Sequence, residues 1–212
     1  SVSNIRVQKK EMCMYMGEKF APGGYLWIFP KGGDRANIGI GISGKFSKHK
    51  SAKKYLDEFI EQNFPLASIE SVVCGGVICA SPIKEPINNG LMLVGDAAHQ
   101  TNPMTGGGIS SGMKAGAIAG KVAVEAINSK KYDKKFLMEY PKLMFKEFGS
   151  RYEKLNKIKE TVNKLSDVDL DGIATNVEKV PIHKRTLATV FKKAVYKKPS
   201  LIFDVLKIYS GF

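Results

Sequence analysis

Apolar and polar residues alternate in short runs along the first third of the chain, and this period of two is typical of β-strands. The alternation predicts a strand within Ile5–Gly17 and a β-hairpin made of Tyr25–Pro30 and Ala36–Ile42. A longer strand is predicted over Ser68–Ala80, with a bulge at its paired glycines. These runs indicate an antiparallel sheet in this part of the chain.

Apolar residues recur with helical spacing in the rest of the chain. An amphipathic helix is predicted over Ser51–Asn63, and a second helix from about Ile109 to Asn128. Helical spacing resumes from Tyr132 onward, and the tail, Pro181–Phe212, is predicted to hold two short helices separated by a proline. The fold class is therefore expected to be α+β or α/β.

Three aromatic residues of the predicted hairpin are spaced by two. The rings of Tyr25, Trp27 and Phe29 should therefore share one face of the sheet. On spacing alone, such a stripe fits the aromatic core of a domain better than a binding surface.

The central stretch of the chain combines a short apolar run with an acidic turn and a glycine-rich loop. Leu91–Val94 has the character of a buried strand, and it ends at Gly95-Asp96. A loop then contains Pro103 and the triplet Gly106-Gly107-Gly108, and it leads into the second predicted helix at Ile109. Strand, acidic turn, glycine loop and helix start together are the parts of a site for a polar, partly anionic cofactor.

The residue types in this stretch favour a flavin over a nucleotide triphosphate. An ionised Asp96 can only accept hydrogen bonds, which suits sugar or ribityl hydroxyls and makes it a poor phosphate partner. The three glycines let backbone N–H groups approach a flat ligand, and the helix start carries partial positive charge that stabilises an anion.

Two segments carry a resemblance to a known family. The segment Gly90–Gly120 reads GLMLVGDAAHQTNPMTGGGISSGMKAGAIAG, and it resembles the second flavin-binding motif of flavoproteins built like p-hydroxybenzoate hydroxylase. Within them it is most similar to the geranylgeranyl reductases, which include archaeal digeranylgeranylglycerophospholipid reductases. The segment Ala21–Ile42, APGGYLWIFPKGGDRANIGIGI, resembles the Tyr-x-Trp-x-Phe-Pro segment of these reductases. The resemblance extends over about Glu18–Ile127.

The resemblance implies a fold and a division of the chain. The expected fold is the p-hydroxybenzoate-hydroxylase-like FAD-dependent fold, of which this chain would be a carboxyl-terminal portion, because the family's opening Gly-x-Gly-x-x-Gly turn is absent. Residues 1–86 would belong to the substrate-binding sheet, residues 87–130 to the returning segment of the FAD domain, and residues 131–212 to a helical carboxyl-terminal region.

The resemblance also implies roles for individual residues, with FAD as the cofactor. Gly95 and Asp96 would hold the ribityl chain, and the backbone of Gly106–Ile109 would contact the pyrimidine edge of the flavin. Pro103 is assigned to the same cofactor loop. The substrate-binding wall, which would face an isoprenoid chain, would consist of Tyr25, Trp27, Phe29 and Pro30. No catalytic residue or metal ligand is assigned.

The expected activity is reduction of carbon–carbon double bonds in geranylgeranyl chains of archaeal-type membrane lipids, with an unidentified electron donor. Two alternatives stay open. One is a class A flavoprotein monooxygenase, which shares the fold and hydroxylates small aromatic substrates. The other is a non-catalytic module that binds membranes.

The net charge of +13 arises almost entirely from lysine, and it points to an anionic partner. Since nucleic-acid readers rely on arginine for base contacts, we favour an anionic membrane surface over a nucleic acid. In the tail, lysines interleave with aromatic residues, which fits a surface lying on lipid, although lysines kept for solubility explain the charge equally well. Three cysteines in no paired spacing favour a reducing cytosol, and no apolar run approaches the ~20 residues of a transmembrane helix. We therefore expect a cytoplasmic protein associated peripherally with membranes.

Three further motifs have a structural and a functional interpretation. Glycines every four residues from Gly108 to Gly120 predict very close packing on one helix face, which we place against the sheet. His99 is assigned a structural role near the loop, over that of a catalytic base. The segment Asp167–Glu178 matches the spelling of an EF-hand calcium loop, but we favour an acidic helix start capped by Ser166 or Asp167.

Overall fold

A computed structural model describes residues 1–8 and 10–185 of the protein. The described residues divide into two units: the first contains Ser1–Cys74 and residues 165–185, and the second contains Gly75–Lys164. These units rest on spatial contacts, whereas the three-part division at residues 86 and 130 rests on family roles and stays a prediction. The described residues form a mixed α/β structure with an antiparallel sheet, as expected.

The first unit is built on a sheet of five strands, in which every neighbouring pair is antiparallel and the order is β2-β3-β4-β1-β5. The strands in chain order are β1 Val2–Ser3, β2 Cys13–Tyr15, β3 Tyr25–Gly32, β4 Arg35–Gly41 and β5 Ser68–Ile69. The predicted hairpin is confirmed as β3 and β4. The strand predicted within Ile5–Gly17 is limited to the three residues of β2.

One face of this sheet is covered by helix α1, Ala52–Asn63, which begins at the predicted position. The Ser51 side chain caps it by accepting a hydrogen bond from the Lys54 N–H at 3.2 Å. The core between helix and sheet consists of buried apolar side chains from both: Val2, Ile5, Ala21, Leu26, Ile28, Ala36, Ile38, Phe59 and Ile60. Leu26 and Ile28 alternate with the aromatic residues of β3, so the aromatic stripe lies on the face opposite to this core.

The long strand predicted over Ser68–Ala80 is wrong beyond Ile69. Residues 70–78 are exposed and irregular, and the Val73 side chain is 94% exposed. A β-branched sequence forms a strand only where a neighbour completes its hydrogen bonds. Among the described residues, the neighbour of β5 is β1, and Ser1 bonds to the residues that follow β5: its carbonyl accepts from the Glu70 and Ser71 N–H groups, and its amine donates to the Ser71 carbonyl at 2.9 Å.

The acidic segment that matches a calcium loop forms a continuous helix, α6, Asp167–Glu178. Ser166 caps it, and a reciprocal bond links the Asp169 side chain to the Ser166 backbone N–H at 3.1 Å. The acidic helix start is thus confirmed. An EF-hand loop would require a sharp turn at Gly172, which is instead inside the helix.

Asp167 joins helix α6 to the loop that precedes β3. Its Oδ1 atom accepts a hydrogen bond from the Glu18 N–H at 2.7 Å, and its Oδ2 atom lies 3.4 Å from the Lys19 nitrogen. Gly17 has a φ of +106°, and a Cβ at that position would lie 2.7 Å from Asp167 Oδ1. The carboxylate therefore fits against a backbone that only glycine allows.

We expect the substitution Asp167→Ala to lower the free energy of unfolding by about 1–2 kcal/mol, because it leaves two backbone donors without their acceptor. Asp171→Ala is the matched control: its side chain is exposed on the same helix and accepts no hydrogen bond from the described residues. Urea unfolding followed by circular dichroism measures both. Equal midpoints for the two variants would contradict this role of Asp167.

The second unit is largely helical. A two-stranded ladder of β6, Ile87–Asn88, and β7, Leu91–Met92, precedes a 3-10 turn at Gly95–Ala98. The helices are α2 Ile109–Ser129, α3 Lys134–Leu137, α4 Glu139–Met144, a π-helical turn Phe145–Gly149, and α5 Ser150–Val162. The predicted helix after Ile109 and the helical region after Tyr132 are confirmed, whereas the strand predicted over Leu91–Val94 is only two residues long.

Helix α2 buries one side against the helices that follow it. Its buried residues Ala115, Ala119, Val122 and Ala126 pack in a core with Leu137, Tyr140, Met144, Phe148 and Tyr152. These side chains recur every three or four residues, which is why the sequence pattern locates the helices correctly.

The glycine face of α2 differs from the prediction. A Cβ at Gly108 would lie 3.2 Å from the Asp96 Oδ1 atom, and a Cβ at Gly112 would lie at an ordinary contact distance of 3.8 Å from Gly95 Cα. At Gly116 and Gly120, however, no atom of the described residues lies within 4 Å of the position of a Cβ. The predicted close packing is therefore observed only at the first turn of the helix, and against a loop instead of the sheet.

None of the helices within residues 1–8 and 10–185 has both the length and the apolar character that a membrane crossing requires. The two helices predicted in the tail, and its mixture of lysine and aromatic residues, fall mainly on residues 186–212, which lie outside the described residues.

Candidate functional site

The candidate cofactor loop runs from Gly95 to Gly108 and leads directly into helix α2. It is compact because its backbone bonds to itself: the Asn102 N–H donates to the Gly107 carbonyl, and the Gly106 N–H to the Asn102 carbonyl, both at 2.9 Å. Gly95 and Gly106 have φ angles of +66° and +69°, in the left-handed region that favours glycine. The loop thus depends on glycine at two of the predicted site positions.

A buried polar network holds the beginning of this loop. The side-chain oxygen of Gln100 accepts from the Gly95 N–H at 2.7 Å, and the Gln100 Nε2 atom donates to the Tyr140 hydroxyl at 2.7 Å. The Tyr140 hydroxyl in turn donates to the Leu93 carbonyl at 2.8 Å. Gln100 and Tyr140 have no exposed surface, so these bonds are made away from water. The network ties the loop to helix α4.

Burial raises the pKa of Tyr140, and the hydrogen bond from Gln100 opposes part of that rise. The phenol therefore stays protonated and continues to donate to Leu93. Neither Gln100 nor Tyr140 was among the predicted site residues. Helical spacing places Tyr140 in the core, but nothing in the local sequence pairs it with a glutamine 40 positions away.

Asp96 lies at the surface beside the start of α2. Its Oδ1 atom accepts a hydrogen bond from the Thr101 hydroxyl at 3.0 Å, and it would lie 3.2 Å from a Cβ at Gly108. Its side chain is exposed, so the carboxylate retains capacity to accept further hydrogen bonds. The structure thus brings Asp96 and the glycine triplet together.

The glycine triplet offers fewer free N–H groups than the sequence suggested. The Gly106 N–H is used within the loop, and the Gly107 N–H faces the Thr105 hydroxyl oxygen at 3.3 Å. By contrast, the N–H groups of Gly108 and Ile109 have no partner among the described residues, as expected at the start of a helix. The donors available to a ligand are therefore those of the last glycine and the first helical residues.

Pro103 and Ile109, two further predicted site residues, differ in their exposure to solvent. Pro103 is fully buried beneath the loop, so its ring supports the loop and leaves almost no surface for a cofactor. Ile109 is 84% exposed at the start of α2. His99 ends the 3-10 turn with a φ of +54°, and its assignment to a structural role stays a prediction.

Cys79 was not expected near the loop. A Cβ at Gly106 would lie 3.8 Å from its Sγ atom. Burial raises the pKa of the Cys79 thiol, although Lys159, whose ammonium group donates to the Cys79 carbonyl, opposes the rise. The thiol is therefore protonated at neutral pH and behaves as a small apolar neighbour of the loop.

The aromatic stripe belongs to the first unit and is described separately. Successive rings of Tyr25, Trp27 and Phe29 have centroids 5.7 and 6.0 Å apart, and the second pair is stacked. All three are partly exposed on the face opposite to the core, so the interpretation as an aromatic core is wrong for this unit. Pro30, the fourth predicted wall residue, is partly exposed at the end of the stripe.

The partner strand holds the indole of Trp27 in place. Its Nε1 atom donates to Asn37 Oδ1 at 2.8 Å, and Gly39 lies directly across the hairpin from Trp27. A Cβ at Gly39 would lie 2.2 Å from the indole ring, so only glycine leaves room for the ring to lie over β4. Asn37 and Gly39 together therefore position the ring over β4.

Methionines extend this apolar face across the edge strand. Met14 pairs with Trp27 across β2 and β3, so both side chains point to the same side of the sheet. Met14 and its neighbours at alternate positions, Met12 and Met16, are 54–75% exposed. We define the outer sheet face as Met12, Met14, Met16, Tyr25, Trp27 and Phe29. Flexible methionines beside rigid rings suit an irregular apolar ligand.

The loop and helix start fit the flavin that the resemblance implies. An exposed carboxylate can accept hydrogen bonds from ribityl hydroxyls, and the unpartnered N–H groups of Gly108 and Ile109 can donate to an electron-rich ring edge. Among the described residues, only the Thr105 hydroxyl oxygen would lie within 4 Å of a Cβ at Gly107, at 3.4 Å, so none of their bulky side chains blocks that approach.

Comparisons with known proteins show which proteins the chain resembles. Residues 1–77 match the family model of the geranylgeranyl reductase catalytic domain. Digeranylgeranylglycerophospholipid reductase 1 of Methanococcoides burtonii is 45% identical over 209 residues, which are 99% of this chain and 51% of that protein. The digeranylgeranylglycerophospholipid reductase of Methanothrix thermoacetophila is 37% identical over 92% of this chain and 50% of that protein.

A solved structure is similar along nearly the whole backbone. The crystal structure of a geranylgeranyl bacteriochlorophyll reductase-like protein from Thermoplasma acidophilum superposes with a TM-score of 0.88 at 32% identity, over 98% of this chain and 53% of that one. The chain spans about half the length of the curated relatives it matches. By sequence and by backbone, the chain is similar along nearly its whole length to about half of these geranylgeranyl-type reductases.

Proposed function

We propose that the protein to which this chain belongs is a flavin-dependent reductase of carbon–carbon double bonds in the geranylgeranyl chains of archaeal-type phospholipids. The observation that carries the proposal is the 45% identity, over 99% of this chain, to a protein named digeranylgeranylglycerophospholipid reductase. The proposal includes the p-hydroxybenzoate-hydroxylase-like FAD-dependent fold, to which both units would contribute.

FAD, once reduced, would supply the hydride that saturates an alkene. This chain would bind and orient it through the loop at the start of α2. Asp96 would accept hydrogen bonds from the ribityl hydroxyls, and the Gly108 and Ile109 N–H groups would donate to the pyrimidine edge. The positive end of the α2 dipole stabilises negative charge at that edge, which favours the reduced, anionic ring.

The outer sheet face would bind the isoprenoid chain. Its rings and thioethers offer apolar contacts without hydrogen-bonding groups, apart from the Tyr25 hydroxyl, and the Trp27 nitrogen is already bonded to Asn37. Contact with this face removes both the chain and the rings from water, and burial contributes about 25 cal/mol for each Å² of apolar area. Water exclusion also protects the hydride from protons of the solvent.

The remaining partners are proposals of the same kind. An excess of 13 positive charges favours association with anionic membranes in the cytoplasm, with no role for nucleic acid. The electron donor and the group that protonates the second alkene carbon are not assigned.

Mass spectrometry of the lipid after incubation with the full-length protein and a chemical reductant tests the proposed reaction. We expect a gain of two mass units for each reduced bond. The class A monooxygenase predicts instead that a small aromatic substrate drives NAD(P)H consumption and gains one oxygen. An unchanged lipid together with that oxygen transfer would overturn the proposal.

A further inference from the structure

The first unit carries a basic loop beside one end of the outer sheet face. We define the basic loop as residues 44–54, that is, the loop before α1 together with the first turn of that helix. It contains five lysines and one histidine and no acidic residue. The acidic residues that flank it along the chain are Asp34 and Asp57. This is a local excess of positive charge in addition to the overall lysine content.

Packing fixes the loop at the Tyr25 end of the aromatic stripe. Tyr25 pairs with Gly41 across the hairpin, and the chain enters the loop three residues later. The Ser43 N–H donates to the Pro22 carbonyl at 3.0 Å. The Phe46 ring lies against Gly23, where a Cβ would be 3.4 Å from it. Since residues 22–24 lead directly into Tyr25, the loop and the stripe meet at this point.

Three of the five lysines have no carboxylate partner among the described residues. Lys50 pairs with Glu58, and Lys53 pairs with Asp57 at 2.5 Å. The ammonium groups of the other three, Lys45, Lys48 and Lys54, are exposed, and Lys45 lies 4.6 Å from the centre of the Phe46 ring. His49, also exposed, lies between them in the chain. Uncompensated cations are therefore concentrated at this end of the stripe.

Charge is balanced at the opposite end. Beyond Phe29 the hairpin turn holds Lys31, Asp34 and Arg35, and Arg35 forms a salt bridge with Glu70 at 2.6 Å. The outer sheet face is therefore apolar along its length, cationic at one end and nearly neutral at the other. This charge distribution is complementary to an anionic amphiphile, which has a negative headgroup at one end of an apolar chain.

We infer that the basic loop binds the phosphate headgroup of the lipid substrate while the isoprenoid chain lies along the outer sheet face, so that the chain enters with its headgroup at Tyr25. The inference rests on the proposed function and adds an orientation to it. From Tyr25 to Phe29 the stripe extends about 13 Å at the rise of a β-strand, so it contacts the chain portion nearest to the headgroup. Lysine suits a phosphate that is held by charge more than by fixed geometry.

The test is a triple substitution, Lys45→Gln, Lys48→Gln and Lys54→Gln, in the full-length protein. We expect the KM for digeranylgeranylglyceryl phosphate to rise about tenfold at low ionic strength with kcat unchanged, because three exposed charge contacts together contribute about that factor. The KM for digeranylgeranylglycerol, which lacks the phosphate, should not change. Added salt should raise the phospholipid KM of the unsubstituted protein and have little effect on that of the variant.

A matched control removes the same charge elsewhere. Lys131, Lys146 and Lys157 are exposed, have no carboxylate partner among the described residues, and belong to the second unit. Their triple substitution by glutamine should leave both KM values unchanged. An equal rise of both KM values in the basic-loop variant, together with loss of sedimentation with anionic vesicles, would show that the loop docks on membranes and would overturn the inference. Unchanged KM values would also overturn it.

A binding measurement separates this inference from the proposed reaction. Calorimetric titration of detergent-dispersed digeranylgeranylglyceryl phosphate requires no reductant, and the variant should bind it about tenfold more weakly. If the protein reduces neither lipid, the reaction is wrong, but the same loss of affinity would still support the headgroup site. If it reduces both lipids and the two proteins bind the phosphate lipid equally, only the headgroup site is wrong.

Discussion

Replacing Asp96 by alanine in the full-length protein should raise the Kd for FAD by about 10- to 100-fold, the effect of losing one or two charge-assisted hydrogen bonds. The carboxylate lies exposed beside the first residues of α2, bonded to Thr101 and otherwise open to a ligand. Gel filtration followed by measurement of the flavin absorbance gives the retained fraction, and titration of the apoprotein gives the Kd. The Kd of the Asp96→Asn variant should lie between that of the unsubstituted protein and that of Asp96→Ala, because the amide oxygen still accepts hydrogen bonds but carries no charge.

Thr101→Val separates loss of the carboxylate from damage to the loop. It removes the hydroxyl that bonds to Asp96 Oδ1 at 3.0 Å and leaves the carboxylate in place. If Asp96 acts by contacting the flavin, this variant should retain far more FAD than Asp96→Ala does. If the two variants retain equal amounts of FAD, Asp96 acts only on the structure of the loop. Full flavin content in Asp96→Ala would likewise contradict a contact between Asp96 and the flavin.

Trp27→Ala is expected to lower kcat/KM for the lipid by about 10- to 100-fold, since the indole would lose an apolar contact of about 1.5–3 kcal/mol. FAD content should change little, because the residues proposed to hold the flavin belong to the second unit and Trp27 belongs to the first. Kinetics with the lipid and the absorbance of the purified protein provide the two measurements. Equal losses of turnover and flavin would contradict a substrate wall.

Gly39→Val provides a second, independent change to the same ring. A Cβ at Gly39 would lie 2.2 Å from the indole, so the valine must displace the ring without removing it. We expect it to lower lipid turnover in the same direction as Trp27→Ala. Asn37→Ala removes only the hydrogen bond to the indole nitrogen, and its effect should be the smallest of the three.

The parts of the fold that the sequence predicted well are those with a repeating local pattern. Helix α2 begins at Ile109 as expected, because apolar residues recur every three or four positions after the glycine triplet. The hairpin is also correct, since alternation on both sides of a glycine turn specifies the pairing locally. The apolar run over Ser68–Ala80 has comparable alternation, but strand formation requires a neighbour that no local pattern can provide.

The residues of the candidate site were also predicted only where a local sequence pattern indicates them. Asp96 and the glycines were predicted because the residue types that indicate a cofactor site lie close together in one short segment of the sequence. The internal use of the Gly106 N–H, and the burial of Pro103, depend on how the loop folds back on itself. Gln100 and Tyr140 could not be found at all, because their bond joins residues of ordinary type that are brought together only by packing.

The bond from Gln100 to Tyr140 has a consequence for cofactor affinity. With its first residue anchored to a helix and its second half bonded to itself, the loop is held in shape by hydrogen bonds of the polypeptide itself. An arriving flavin would therefore lose little free energy to ordering the polypeptide, and more of each contact would appear as net affinity. Rigidity in α4, remote along the chain from any atom that touches the cofactor, would in this way set how tightly it is retained.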